Sequence, residues 1–257
     1  MIYIYIYIHI EKYPKMPKTF GRNLTSANNN NNKLALHYFQ GRGIGEIIRL
    51  TLHISGLEFE DHRYTGEQFA AVKDTTRAET PFGQFPAIKT ESGTWIAQTV
   101  SMARYGARIG GIYPSDPLSQ SISDMIVDHT QDIHSAIAKM QYDGVPGAVG
   151  TKRRSNEEIK RLMMEWKTGK LHHLLLALEQ LHPNDSKYFV DNKLSWADVA
   201  VYNRLNALLD HFPDLMDDRK KYPCLQVCHE TIGSLKCVHD WVANHPDDYK
   251  DTSRYLY

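Results

Sequence analysis

Three short stretches carry groups suited to holding an extended, partly anionic ligand. The first is Tyr38, followed by the turn Gly41-Arg42-Gly43. A tyrosine hydroxyl beside a glycine turn can donate to whatever polar atom such a ligand presents. The second is Thr80-Pro81-Phe82-Gly83-Gln84-Phe85-Pro86-Ala87-Ile88. Proline cannot donate to a sheet ladder, so Pro86 belongs at a strand start. There the backbone groups of Phe85 stay free for a peptide-like ligand, which would pair as an added strand does. The stretch predicts a cis Phe85-Pro86 bond, with an ordinary trans turn as the plainer reading. The third is Gln98-Thr99, where a helix opens. A helix N-terminus has free N–H groups and the positive end of its dipole, which suits a carboxylate.

Around these stretches the chain reads as β-α-β-α-β-β-α. Lys33 to Phe39 alternates as a strand, with Leu34, Leu36 and Tyr38 on one face. Ile44 to Ser55 has helical spacing, and Gly56 ends it. Leu57 to Tyr64 is a second strand and Glu67 to Lys73 a short helix. Ala87-Ile88-Lys89 and Thr94-Trp95-Ile96 form a hairpin around Ser92-Gly93. The helix opening at Gln98 runs through Ala107 to Gly110-Gly111. After Tyr113-Pro114-Ser115-Asp116-Pro117 the pattern turns helical. Leu118 to Met140 and Asn156 to Leu181 read as long helices, separated by a loop over Gly144 to Arg154. Ser195-Trp196-Ala197-Asp198 opens a third helix with a near capping box, in which Asp198 is structural. Shorter helices cover Leu225 to Ile232 and Leu235 to Val242. The expected domains are 33–110 and 118–245, joined by 111–117. Residues 1–32 start with alternating Ile and Tyr and end in Asn28 to Asn32. They read as a disordered or mis-called extension, and 246–257 as an unpacked tail.

Composition narrows the function classes. The 257 residues include 30 basic and 30 acidic side chains, so the charge excess of a nucleic-acid-binding domain is missing. No apolar run has the ~18 residues of a membrane span. The three cysteines, Cys224, Cys228 and Cys237, come late, and an odd, sparse count fits a reducing, cytoplasmic setting. They read as small buried thiols. No metal site is expected, since Cys224 and Cys228 lack a second pair and His129 and His134 do not share a helix face. Met163, Met164 and Trp166 read as core.

Taken together and in order, Tyr38 to Gly43, Thr80 to Pro86, Gln98-Thr99 with Ala103-Arg104-Tyr105, and Ser195 to Asp198 resemble cytosolic glutathione S-transferases. The sigma class and its invertebrate relatives look most similar, over about Lys33 to Pro246. The resemblance implies a thioredoxin-like α/β domain followed by an all-α bundle. It implies glutathione as co-substrate, a small electrophile as second substrate, no metal, a homodimer and a detoxifying role. Tyr38 would donate to the glutathione sulfur and stabilise its thiolate. Gln98 and Thr99 would hold the γ-glutamyl carboxylate. Phe85, before the cis Pro86, would pair with the cysteinyl part. Lys73 and Gln84 would reach the glycyl end, and Phe69 would stand where the family usually has tryptophan. Asp132 would reach the γ-glutamyl amine of the neighbouring subunit.

Each residue also has a plainer reading. Tyr38 could be a packed aromatic, Thr99 a routine cap, Lys73 a solvated charge and Asp132 a surface carboxylate. Two positions depart from the family pattern. Ile44 replaces an arginine that often follows the glycine turn, and Lys139 stands where vertebrate sigma enzymes that isomerise prostaglandin H2 have tryptophan. Both argue against prostaglandin D synthesis here, and Lys139 would favour anionic electrophiles. The competing readings are a carrier of apolar ligands and a crystallin-like structural protein on the same fold. Cysteine-type thiol transferases need a cysteine near the first strand, and none precedes Cys224.

Overall fold

The computed structural model describes residues 33–144, 151–218, 220–246 and 248. The proposed extension 1–32, part of the Gly144 to Arg154 loop and most of the tail lie outside them. In chain order the elements are β1 (Ala35–Phe39), α1 (Glu46–Ile54), β2 (Glu60–Tyr64), α2 (Gly66–Glu79), β3 (Ala87–Lys89), β4 (Trp95–Ala97) and α3 (Thr99–Ile109). Then follow α4 (Pro117–Gln141), α5 (Asn156–Trp166), α6 (His172–Leu181), α7 (Trp196–Leu209), α8 (Pro223–Gly233) and α9 (Lys236–Asn244). The four strands form one sheet in the order β2-β1-β3-β4. β1 runs parallel to β2, and β3 runs antiparallel to both β1 and β4.

The β1 alternation sends its two sets of side chains to opposite faces of the sheet. Leu36 packs with Ile48, Leu52, Ile88, Met102 and Ala103, under α1 and α3. Phe39 meets Phe69 of α2 on the other face, with ring centroids 4.9 Å apart. Trp196 and Ala200 of α7 and Val127 of α4 enter the core beneath α1 and α3. The α/β half and the helical half therefore share apolar packing. A larger core joins Ile126, Ile133, Leu175, Leu178, Leu205 and Leu208 among the later helices. Helix α7 is buried from Trp196 through Tyr202, as expected for a helix surrounded by others.

Several elements differ from the sequence reading, each for a local reason. Helix α2 is fourteen residues long and runs to Glu79. Thr65 and Gln68 close a capping box at its start, with the Gln68 N–H donating to Thr65 Oγ1 at 3.1 Å and the Thr65 N–H to Gln68 Oε1 at 2.8 Å. A tight turn over Gly43–Gly45 precedes α1, so the α-helix begins at Glu46 instead of Ile44. Asn156 to Leu181 is interrupted by a wider turn over Lys167–Leu171. Met164 is 54% exposed, whereas Met163 and Trp166 are buried. Only Cys228 is buried; Cys224 and Cys237 are half-buried. The tail is not wholly unpacked, because Asp248 is buried and pairs with Arg63 of β2.

Arg49 of α1 is the largest polar group in the α/β core and has no exposure. Its Nε donates to Asp61 Oδ2 at 2.9 Å, and its Nη1 to the Gly41 carbonyl at 2.7 Å and Glu46 Oε2 at 3.3 Å. Its Nη2 donates to the Phe39 carbonyl at 3.2 Å. Trp241 of α9 donates to the other Glu46 oxygen at 2.8 Å. One guanidinium thus joins β1, α1, β2 and, through Glu46, α9. Removing the guanidinium takes from Glu46 and Asp61 a buried counter-ion, and breaking a buried pair in this way costs ~3–5 kcal/mol. Arg49→Met is therefore expected to lower the urea-unfolding free energy by about that amount. Arg161→Met removes the exposed Arg161–Glu165 pair and should cost under ~0.5 kcal/mol. Equal losses in the two variants would show that the Arg49 network has no special structural weight.

Candidate active site

The register brings the three sequence stretches to one end of the sheet. His37 lies opposite Ala87, and Ala87 opposite Ala97. One residue further along these antiparallel strands, Tyr38, Pro86 and Gln98 fall in a row. Strands sit ~4.8 Å apart, so the row spans the width of a small peptide. The Phe85–Pro86 bond is cis. Pro86 itself is buried, and Phe85 is half-buried.

Tyr38 is 3% exposed. The Ile44 N–H donates to its hydroxyl oxygen at 3.3 Å. Among the described residues nothing accepts the hydroxyl's own proton, which is therefore free for a ligand atom. Glycines make the room for the ring. A Cβ on Gly43 would lie 2.5 Å from the Tyr38 hydroxyl oxygen, and one on Gly45 would lie 2.9 Å from Cε1. Gly43 also has φ +44°, a conformation that side chains disfavour. Burial pushes the Tyr38 pKa up to about 12, against smaller opposing effects of the Ile44 N–H and the Arg49 charge. The Arg49 guanidinium carbon stands 5.6 Å from the ring centroid. The phenol therefore stays protonated and can act as a neutral donor.

Gln98 caps α3 with φ +72° and ψ 117°. For a residue with a side chain, such a backbone costs ~1–3 kcal/mol and is concentrated at functional sites. Its own side chain is exposed and makes no cap bond. The first turn of α3, opened by Thr99, thus keeps N–H groups for another acceptor. Phe39, Phe69 and Phe85 form an aromatic wall beside this row. Phe69 lies 5.4 Å and Phe39 6.5 Å from Phe85 between centroids. The wall extends to His37, which stacks on His62 at 4.5 Å and contacts the Tyr64 hydroxyl at 2.9 Å. Burial, then the His62 and Lys89 charges, lowers the His37 pKa to about 4, so the ring is neutral.

The remaining expected residues are placed less tightly. Lys73 on α2 and Gln84 before Phe85 are exposed. Asp132 is exposed on α4 and, among the described residues, forms no hydrogen bond or ion pair with the row. Lys139 is exposed in the last turn of α4. Asp198 is buried and accepts the Ser195 N–H, the Ser195 hydroxyl and the Phe189 N–H, each at 2.8 Å. Burial raises its pKa to about 6, against those bonds. Among the described residues no cluster suits a metal ion. Burial first, then Glu179, raises Cys224 to about 11, so this thiol holds no ready thiolate. Sequence reasoning missed Glu46, Arg49 and the glycine spacing around Tyr38. The signal was two charges three residues apart within an otherwise apolar helix.

Comparison with known proteins shows the family. The chain is 30% identical over 212 residues to the hematopoietic prostaglandin D synthase of Gallus gallus, covering 82% of this chain and 96% of that one. The family model for the glutathione S-transferase C-terminal domain matches residues 131–245. The chain belongs to the glutathione S-transferase family. Glutathione S-transferase 1 of Ascaris suum is 28% identical over 214 residues, covering 82% of this chain and 96% of that one. Among solved structures, rat hPGDS complexed with a quinoline superposes with a TM-score of 0.68 at 26% identity, covering 84% of this chain and 98% of that one. The chain is a glutathione transferase with the family's fold, a thioredoxin-like domain followed by a helical one.

The space around Tyr38 yields a direct test. Gly45 has an ordinary helical backbone, φ −77°, so the nearest atoms that an alanine methyl there meets are those of the tyrosine ring. Gly45→Ala is expected to push Tyr38 aside and lower the conjugation rate by about tenfold or more, since ~1 Å of misplacement can cost ~100-fold. Gly66→Ala, with nothing within 4 Å, is the control. A Gly45→Ala enzyme with full activity would show that Tyr38 placement is not limiting.

Proposed function

We propose that the enzyme transfers the glutathione thiolate to small electrophiles, with Tyr38 as the catalytic residue, and that it reduces organic hydroperoxides by the same thiolate. The observation that carries this reading is the Tyr38 hydroxyl, which accepts from Ile44 and keeps its own proton free. A free thiol ionises near ~8.5. A donor held at its sulfur favours the anion and raises the reactive fraction at neutral pH. Attack then forms a carbon–sulfur bond and expels the electrophile's leaving group. With a hydroperoxide, attack on the outer oxygen forms an S–O bond, breaks the O–O bond and releases the alcohol, and the thiol of a second glutathione then displaces water to form the disulfide.

In this reading residues 33–110 bind glutathione. The α3 N-terminus with Gln98 and Thr99 holds the γ-glutamyl carboxylate, and the Phe85 backbone pairs with the cysteinyl part. Phe69 walls the site, while Lys73 and Gln84 take the glycyl carboxylate. Residues 118–245 then form the acceptor side. We place the enzyme with the sigma class, in a cytoplasmic setting, on the motifs around Tyr38, Pro86 and Gln98 and on its sparse cysteines. Ile44 and Lys139 count against prostaglandin isomerisation. Among the described residues no helix is long and apolar enough to cross a membrane.

We further propose a homodimer in which Asp132 reaches the partner's γ-glutamyl amine. Leu118, Ile122 and Met125 are exposed along one side of α4, and Asp132 follows two turns later on that side. Phe82, 53% exposed ahead of Pro86, is a second apolar surface that a dimer would cover. Light scattering should give twice the chain mass, and the double variant Leu118→Lys, Met125→Lys should give one chain mass. A monomeric wild type that still conjugates glutathione would remove Asp132 from the site.

The catalytic assignment is tested by Tyr38→Phe. One hydrogen bond to an anion is worth ~1.5–3 kcal/mol, so kcat/KM should fall roughly 10- to 150-fold while glutathione still binds. In the wild type the rate should rise with pH to a plateau set by the glutathione thiol. No decline from tyrosine ionisation should appear below pH 11, because Tyr38 titrates at about 12. In Tyr38→Phe the rise should move toward the free-thiol value. A wild type that binds glutathione yet turns over neither chloronitroarenes nor hydroperoxides would favour a carrier role.

A further inference from the structure

We infer that Arg204 is a specificity-determining cation on the acceptor side of the site, and that the acceptor group it takes is a carboxylate. The inference rests on the proposed transfer beside Tyr38. It names the substrate class for which the side chains are arranged.

Three arginines are buried among the described residues. Arg49 has Glu46 and Asp61 as counter-ions, and Arg42 has Asp210. Arg204 of α7 is 8% exposed, and among the described residues no carboxylate pairs with it. Its Nη1 meets His134 Nδ1 of α4 at 3.2 Å, and its Nε is buried with no partner. His134 cannot neutralise it, because burial and the Arg204 charge lower the His134 pKa to about 3. Burial also pulls Arg204 itself down, but only to about 10, so it remains a cation. An unpaired buried charge costs several kcal/mol, and such groups are found with a partner. The missing partner here is an anion.

The position of Arg204 indicates which anion. Helices α4 and α7 run parallel. Trp196 donates to Ser123 near their starts, and Arg204 meets His134 further along both. Asp210, at the end of α7, pairs with Arg42. Arg42 sits in the glycine turn that makes room for Tyr38. Arg204 precedes Asp210 by six residues, ~9 Å along the helix. Through His134 its charge lies beside the stretch of α4 that carries Asp132 and Lys139, in the half of the chain proposed as the acceptor side. With Nη1 engaged by His134, the Nε–Nη2 edge keeps two parallel N–H donors. That edge matches the two oxygens of a carboxylate. An electrophile bonded to sulfur above Tyr38, with a carboxylate some ångströms away, would supply the counter-ion. Lys139 is exposed and solvated, so its charge discriminates less.

The test compares a chloronitroarene carboxylic acid with its carboxamide at saturating glutathione. Each rate is divided by the uncatalysed rate of the same acceptor. Wild type is expected to favour the acid through a lower KM. Arg204→Met should reduce the acid-to-amide ratio of kcat/KM by about tenfold or more, and Arg204→Lys should restore part of it. Glutathione affinity, measured separately, shows that the variants are folded. No preference for the acid in wild type would overturn the inference whether or not any variant folds. So would an unchanged ratio in a glutathione-binding Arg204→Met, or a ratio that falls in Lys139→Ala instead. Failure of wild type to conjugate either acceptor would instead overturn the transfer reading on which the inference rests.

Discussion

The Arg49 guanidinium is the constraint on which the rest of the site depends. It is buried, and it binds the carbonyls of Phe39 and Gly41, which flank the segment after Tyr38. Fixing those two carbonyls fixes the direction in which β1 leaves the sheet. Glu46 and Asp61 neutralise the guanidinium, and Trp241 closes the network from the C-terminal helix. A buried ion network of this kind adds little net stability over an apolar core, because desolvation offsets the attraction. What it adds is geometry, since planar donors accept only one arrangement of their partners. The sheet, the first helix and the last helix are registered to the same atom group.

The chemistry on that frame needs few parts. Tyr38 is kept neutral by burial and oriented by a backbone N–H. Gly43 and Gly45 are absences that the ring fills. Gln98 holds a costly backbone conformation at the opening of α3, one residue past the strand that pairs with β3. Most of the groups proposed to face glutathione are therefore backbone atoms placed by sheet register, and few side chains need to be specialised.

The helical half has a comparable division between scaffold and site. Asp198 is spent on three local donors around Ser195 and Phe189, and it fixes the start of α7. From there the buried helix carries Trp196 into the α/β core and Asp210 to Arg42. Arg204 lies between these two anchors, which is why its position is well determined although its charge is unmatched.

Much of this was legible in the residues. The strand alternation around Tyr38, the proline before β3, the cap at Ser195 and the change to helical spacing after Pro117 are local signals, carried by neighbours in sequence. Element ends were less legible where a side chain decided them, as with Thr65 and Gln68 at α2. Asp248 and Met164 show the limit in another way, since nothing beside them in sequence says which is covered. The row of Tyr38, Pro86 and Gln98 follows from strand order, and the Arg49 and Arg204 environments follow from helices far apart in the chain. By itself, then, the sequence determined which elements form and which residue types the site holds, because helix caps, turn residues and periodicity act over a few positions. Only the tertiary structure decided which charges are paired, which hydroxyl is buried and which cation is left over. Burial and counter-ions are properties of packed neighbours, and those neighbours come from every part of the chain.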